Sequence, residues 1–194
     1  MRVALGLKAR TGRAILVAVG ASPQLQVVER TEIKLLPAGD FAPYHAAEGL
    51  PSAAAQKQVA RSIASAHRLA EAGIRQAIET LSDAGHETCG CGVLIGGGMP
   101  SWSTDEILAV HVRMHQAEGE LFRAVLVAGA RACGFIPPTL HEKTAWDEAA
   151  TMLGLSRTEL ETRLVALGKS VGAPWGKDQK EAAAAALVAL RAKG

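Results

Sequence analysis

Val3-Ala-Leu-Gly-Leu7 and Ala14-Ile-Leu-Val-Ala-Val19 are two apolar runs joined by Lys8-Ala-Arg-Thr-Gly-Arg13. Gly12 gives the joint a residue suited to a hairpin turn. Ser22-Pro23 then breaks the chain, and residues from Leu25 to Leu35 alternate well enough for a third strand. The chain therefore opens with a three-stranded meander.

After a loop from Pro37 to Pro51, apolar positions Val59, Ile63, Ala66, Ala70, Ile74, Ala77 and Leu81 step by threes and fours. That spacing predicts a helix from about Ser52 to Ser82, ended by Gly85. Gly92-Val-Leu-Ile95 reads as a buried fourth strand running into Gly96-Gly97-Gly98. Ser103 with Glu106 forms a capping box for a second long helix reaching about Cys133. Phe135 to Leu140 reads as a fifth strand, but Pro137 and Pro138 cannot donate to a ladder, so it belongs at a sheet edge. Helical sequence follows from Trp146 to Leu153, then a helix capped by Ser156 and Glu159. A loop from Gly168 to Gly176 precedes an alanine-rich last helix opened by Asp178.

Composition limits what this layout can be. The 194 residues are 48% hydrophobic and 21% charged, enough for one buried core and a single domain over 1–194. Aromatics make up only 4%, so Val, Leu, Ile and Ala must fill the core. The formal net charge of +2 argues against a large nucleic-acid footprint while leaving room for a local one. Three cysteines are too few for a disulfide scaffold, and Lys8, Arg10 and Arg13 interrupt what a signal peptide would need. No stretch has the length of a membrane span. The expectation is a cytoplasmic protein without a membrane role.

The order β-β-β-α-β-α-β-α resembles the ribonuclease H-like superfamily, and the polar-to-alanine tail is similar to that of bacterial Holliday-junction resolvases. The resemblance implies an α/β fold with a five-stranded mixed sheet, order 3-2-1-4-5, and helices on both faces. It also implies carboxylates at mid-strand one, at the end of strand four and at the start of the last helix. Such groups hold two divalent cations around the attacking and leaving oxygens. Strand one, Val3-Ala-Leu-Gly-Leu7, has no acid; strand four ends Leu94-Ile95-Gly96, again with none. Of the three expected carboxylates, only Asp178 stands in place.

Several residues are candidates for other chemistry. His111, His115, Glu118 and Phe122 step by four, three and four, beside a core stripe of Met114, Leu121, Val125 and Ala128. Two imidazoles one turn apart plus a carboxylate are donors for a transition metal; a polar helix flank satisfied by hydrogen bonds is the plainer account. Groups so near a core need partners, because an unpaired one costs ~1–3 kcal/mol. Asp178 or the loop at 43–48 are the natural ones, and alanine at His111 or Glu118 is expected to destabilise the fold. That loop, Pro43-Tyr44-His45-Ala-Ala-Glu48, offers His45 and Glu48 as acid or base and Tyr44 as a binding or packing group. Gly97 sits in a glycine run between strand and helix, suited to phosphate or simply to a tight turn. Trp175, Lys177 and Lys180 surround Asp178 and could grip a nucleotide by stacking and charge, or serve as staple and cap. Cys89, Cys91 and Cys133 read as packing residues.

Two functional classes follow. One is a ribonuclease H-like module without ordinary two-metal nuclease activity that binds nucleic acid or a protein partner. The other is a divergent hydrolase or nuclease with a remodelled site from His45, Glu48, His111, Glu118 and Asp178, with a divalent metal as its conceivable cofactor. Proximity separates them: an active site must bring loop, helix and tail into one cleft.

Overall fold

The computed structural model describes residues 1–40 and 42–192. Among these, five strands form one sheet: β1 (Arg2–Arg10), β2 (Arg13–Ala21), β3 (Leu25–Lys34), β4 (Glu87–Ile95) and β5 (Thr139–His141). The helices are α1 (Ser52–Asp83), α2 (Thr104–Leu108), α3 (His111–Ala132), α4 (Ala145–Leu153), α5 (Arg157–Val171) and α6 (Lys177–Arg191), with a 3-10 turn at His45–Ala47. The order is β3-β2-β1-β4-β5. β2 is antiparallel to β1 and β3, whereas β4 runs parallel to β1 and β5 parallel to β4. This is the ribonuclease H-like layout.

Alternation in β1 divides the core. Val3, Leu5 and Leu7 join Ala14, Leu16 and Ala18 under α1 and α3, while Ile15, Val17 and Val19 pack under α4, α5 and α6. Period-two side-chain direction sends alternate residues to opposite faces. Both faces are covered, which explains why β1 and β2 read as continuous apolar runs. The edge strand β3 carries Glu29, Arg30, Glu32 and Lys34, charges that discourage pairing with another chain.

The alanine-rich α6 lies close against the sheet. A Cβ on Gly6 would come 1.8 Å from the Ala182 carbonyl oxygen, one on Gly92 2.3 Å from that of Ala185, and one on Gly90 2.9 Å from that of Ala189. Glycines on β1 and β4 thus meet helix backbone directly. Gly6→Ala should therefore cost about 2–3 kcal/mol through overpacking, read as a lower urea midpoint with an unchanged slope.

Four expectations shift. The second long helix is interrupted: Val110 is extended (φ −140, ψ 113) and separates α2 from α3. The break lets Ile107 turn into a small core with Tyr44, Ala47, Ala55, Val59, Met114 and Ala117. β4 is longer than Gly92–Ile95, because Glu87, Thr88, Gly90 and Cys91 also pair with β1, with Cys89 at the register shift; Cys91 is buried in the core. β5 begins only after the prolines, and Pro138 takes part as an acceptor, from Val93 N at 3.0 Å. Finally, α6 begins at Lys177, with Gly176 at its cap and Gln179 Oε1 accepting from Gly176 N at 3.0 Å. The capping boxes at Ser103/Glu106 and Ser156/Glu159 are present.

Candidate functional site

The polar stripe of α3 faces the 43–48 loop. Glu118, 4% exposed, accepts from Tyr44 N at 3.0 Å and His45 N at 3.1 Å. Both its oxygens lie 2.9 Å from His45 Nδ1. A carboxylate holding two backbone amides and an imidazole fixes the 3-10 turn onto the helix. Burial, then the nearby charge of Glu118, raises the Tyr44 phenol above its ordinary value, so it stays neutral. His115 Nε2 lies 3.1 Å from His111 Nε2. The His45 ring is centred 5.1 Å from that of His111 and 4.6 Å from that of His115.

A second group lies on the α6 face of the sheet. Lys8 is on the same side as Ala4 and Gly6, and its ammonium is buried. It donates to Glu181 of α6, itself 1% exposed, and to Glu142 at 3.5 Å, just past β5. Glu142 also accepts from Arg123 Nη2 of α3 at 2.6 Å. Arg10, at the end of β1, holds Asp178 through Nε at 2.8 Å and Nη2 at 2.6 Å. Asp178 is thus neither a cap nor a partner of the histidine stripe. The acid of α6 that turns inward is Glu181.

A pair of divalent cations would need carboxylate oxygens converging without competing charge. Here Lys8 and Arg123 already neutralise Glu181 and Glu142, and Arg10 neutralises Asp178. The residues present do not fit a two-metal centre.

The two groups border one another. A cleft of about 160 Å³ is lined by Arg10, His115, Glu118, Arg123 and Glu142. An adjoining cleft of about 690 Å³ is lined by the glycine run at 96–98, by Arg123, His141 and Lys143, and by the carboxylates of Glu120, Glu142 and Glu148; the Glu120 and Arg123 side chains lie directly against Gly96. That volume lies in the range of small-molecule sites. Gln116 Nε2 ties the glycine run down by donating to Gly98 O at 3.3 Å.

Not every candidate joins in. Glu48 is exposed beyond the 3-10 turn, outside the histidine group. Trp175 lies against Gly168 and donates from Nε1 to Leu164 O at 2.8 Å, a clasp on α5, and lines neither cleft. Lys177 is exposed, with Nζ 3.7 Å from Glu181 Oε1, and Lys180 is half-buried. Sequence reasoning missed Lys8, Arg123, Glu142 and Glu181. Two signals were present: a lysine prolonging an apolar strand and a glutamate leading into five alanines.

Glu142 supplies a pH test. Burial pushes its carboxyl up, but the Arg123 hydrogen bond and the Lys8 charge outweigh burial and leave it below its ordinary value. A folded-state value below the unfolded one adds stability that is present above about pH 4.3 and is lost as pH falls through the folded value. The melting temperature should drop on acidification below that point, and Glu142→Gln should flatten part of the drop in calorimetry.

The strand order and directions are those of the ribonuclease H-like layout. No family model matches the chain, and no curated protein matches it in sequence. Among solved structures it is similar to Thermus thermophilus RuvC in complex with a Holliday-junction substrate. That alignment covers 97% of this chain and 92% of the other, at 12% identity and TM-score 0.47. It is likewise similar to a second Thermus thermophilus RuvC structure, over 96% and 92% at 12% identity and TM-score 0.45. No helix among the described residues is long and apolar enough to cross a membrane.

Proposed function

We propose that this chain is a ribonuclease H-like module that does not run the two-metal reaction and instead binds a phosphate-bearing strand along the clefts at the ends of β1, β4 and β5. The observation that carries the reading is the Lys8 ammonium seated between Glu181 and Glu142. A cation built into the chain takes one oxygen of each of the two carboxylates, Glu181 Oε2 and Glu142 Oε1, that metals would need. Support for the ligand class comes from Arg123 and Lys143, which line the larger cleft together with the glycine run. Cationic side chains and open backbone amides recognise phosphate. A protein partner is the other outcome of the test.

The test is to incubate the purified chain with branched DNA and RNA–DNA hybrid in Mg²⁺ or Mn²⁺, following cleavage and binding together. Intact substrate is expected, with binding that weakens as salt rises and weakens further in Lys143→Glu. Cleavage abolished by Glu181→Gln or Asp178→Asn, yet unchanged by substitutions at His45, His111 and His115, would overturn the proposal. Absence of any salt-sensitive binding would remove the nucleic-acid part and favour a protein partner.

A second reading, a hydrolase with a remodelled site, is favoured by one specific observation. His115 and Glu118 share their cleft with Arg10 and Arg123, so an acid–base group faces two guanidiniums, each already paired with a carboxylate, Asp178 and Glu142. Under that reading, hydrolysis of a phosphate ester would disappear in His115→Ala and persist in Asp178→Asn.

A further inference from the structure

We propose that His45, His111 and His115 form a mononuclear site for a transition cation of the zinc class, with Glu118 as the carboxylate behind it. One ring nitrogen of each histidine lies within 4.8 Å of those of the other two. Bonds of 2.0–2.1 Å in a tetrahedral site put ligand nitrogens about 3.3 Å apart. His111 and His115 already stand at 3.1 Å, and both are exposed, so closing the triangle requires only small side-chain rotations.

The support behind His45 is what distinguishes the group from three histidines that merely touch. Metal-bound imidazoles characteristically give their other ring nitrogen to a carboxylate, which fixes the tautomer and raises ligand basicity. Glu118 does this with both oxygens at 2.9 Å from Nδ1, so Nε2 is the atom His45 would offer. Glu118 is in turn held by the amides of Tyr44 and His45, which makes the carboxylate a fixed part of the loop. The 3.1 Å approach of two Nε2 atoms also has a simple chemical reading. Either one carries a proton directed at the other, or both lone pairs turn toward a shared cation.

Donor type sets the metal. Three imidazoles suit zinc, cobalt, nickel or copper ions and are poor ligands for magnesium or calcium. Three protein ligands leave a fourth position open, the pattern of sites that bind water or an exchangeable anion rather than purely structural ones. His115 also lines the neighbouring cleft, which leaves room for a water or another exchangeable ligand at the fourth position. The inference does not depend on either functional reading, because it concerns metal binding alone.

The test uses the full chain without a histidine tag, stripped with chelator and titrated with Co²⁺ while visible absorption is followed. Expected are the intense bands of four-coordinate cobalt, saturation at one equivalent, displacement by Zn²⁺ and indifference to excess Mg²⁺. His111→Ala, at an exposed position, should keep its circular dichroism and lose at least about 100-fold in affinity; Glu118→Gln should lose about 10–100-fold. Weak bands of six-coordinate cobalt, or affinities in His111→Ala and His115→Ala unchanged from the starting chain, would show an aromatic cluster without a metal and overturn the proposal.

Discussion

Replacing Lys8 with methionine should lower the unfolding free energy by about 3–5 kcal/mol. The lysine is buried at the end of a central strand and is ion-paired to a glutamate that is 1% exposed. Removing the cation leaves the buried Glu181 carboxylate with only the exposed Lys177 ammonium, 3.7 Å away, to offset it, and leaves Glu142 with Arg123 alone. The complementary change tells the sign of the pair itself. Lys8→Met combined with Glu181→Met removes both charges, and substituting apolar residues for a complete buried pair is often neutral or stabilising. The double variant should thus recover most of the loss in urea denaturation. A single variant as stable as the starting chain would mean that the ammonium contributes nothing to holding α6.

Glu118→Ala is expected to cost a similar amount, about 3–5 kcal/mol, the range for removing one partner of a buried, hydrogen-bonded charge. Its carboxylate accepts from the amides of Tyr44 and His45 and from the His45 ring. Alanine would strand those donors and release the 3-10 turn from α3. Hydrogen exchange should show residues 43–48 opening at much lower free energy, while the sheet loses protection only with global unfolding. His111→Ala is a contrast. The sequence pattern placed it with Glu118 as a residue whose loss destabilises, but His111 is exposed, and exposed substitutions usually stay within about 0.5 kcal/mol. If both variants melted alike, the division between anchor and exposed ring would be wrong.

The meander, the edge position of β5 and both serine caps were legible because each depends on neighbours in the chain: alternation, missing proline donors, and a serine three residues before a glutamate. The stripe of His111, His115 and Glu118 was legible for the same reason. The interruption at Val110 was not, since it depends on where Ile107 can be buried among residues of α1, α3 and the 43–48 loop. Likewise, Lys8, Arg123, Glu142 and Glu181 come from four separate segments, and no spacing ties them together. Asp178 looked like the important acid of the tail because it begins the last helix. Three residues on, nearly one full turn, the helix presents Glu181 to the sheet instead.

The seam where α6 meets β1 and β4 is made of glycine against alanine and helix carbonyls. Such a joint has almost no rotatable bonds, so it cannot adapt by swapping rotamers as a leucine-filled seam can. The helix must sit in one place or lose contact along its length. Glu181 is carried by that helix and Lys8 by the strand beneath it, so their separation is set like a machined fit. A methyl group added anywhere along the seam would be felt at the ion pair as a change in distance, even several residues away.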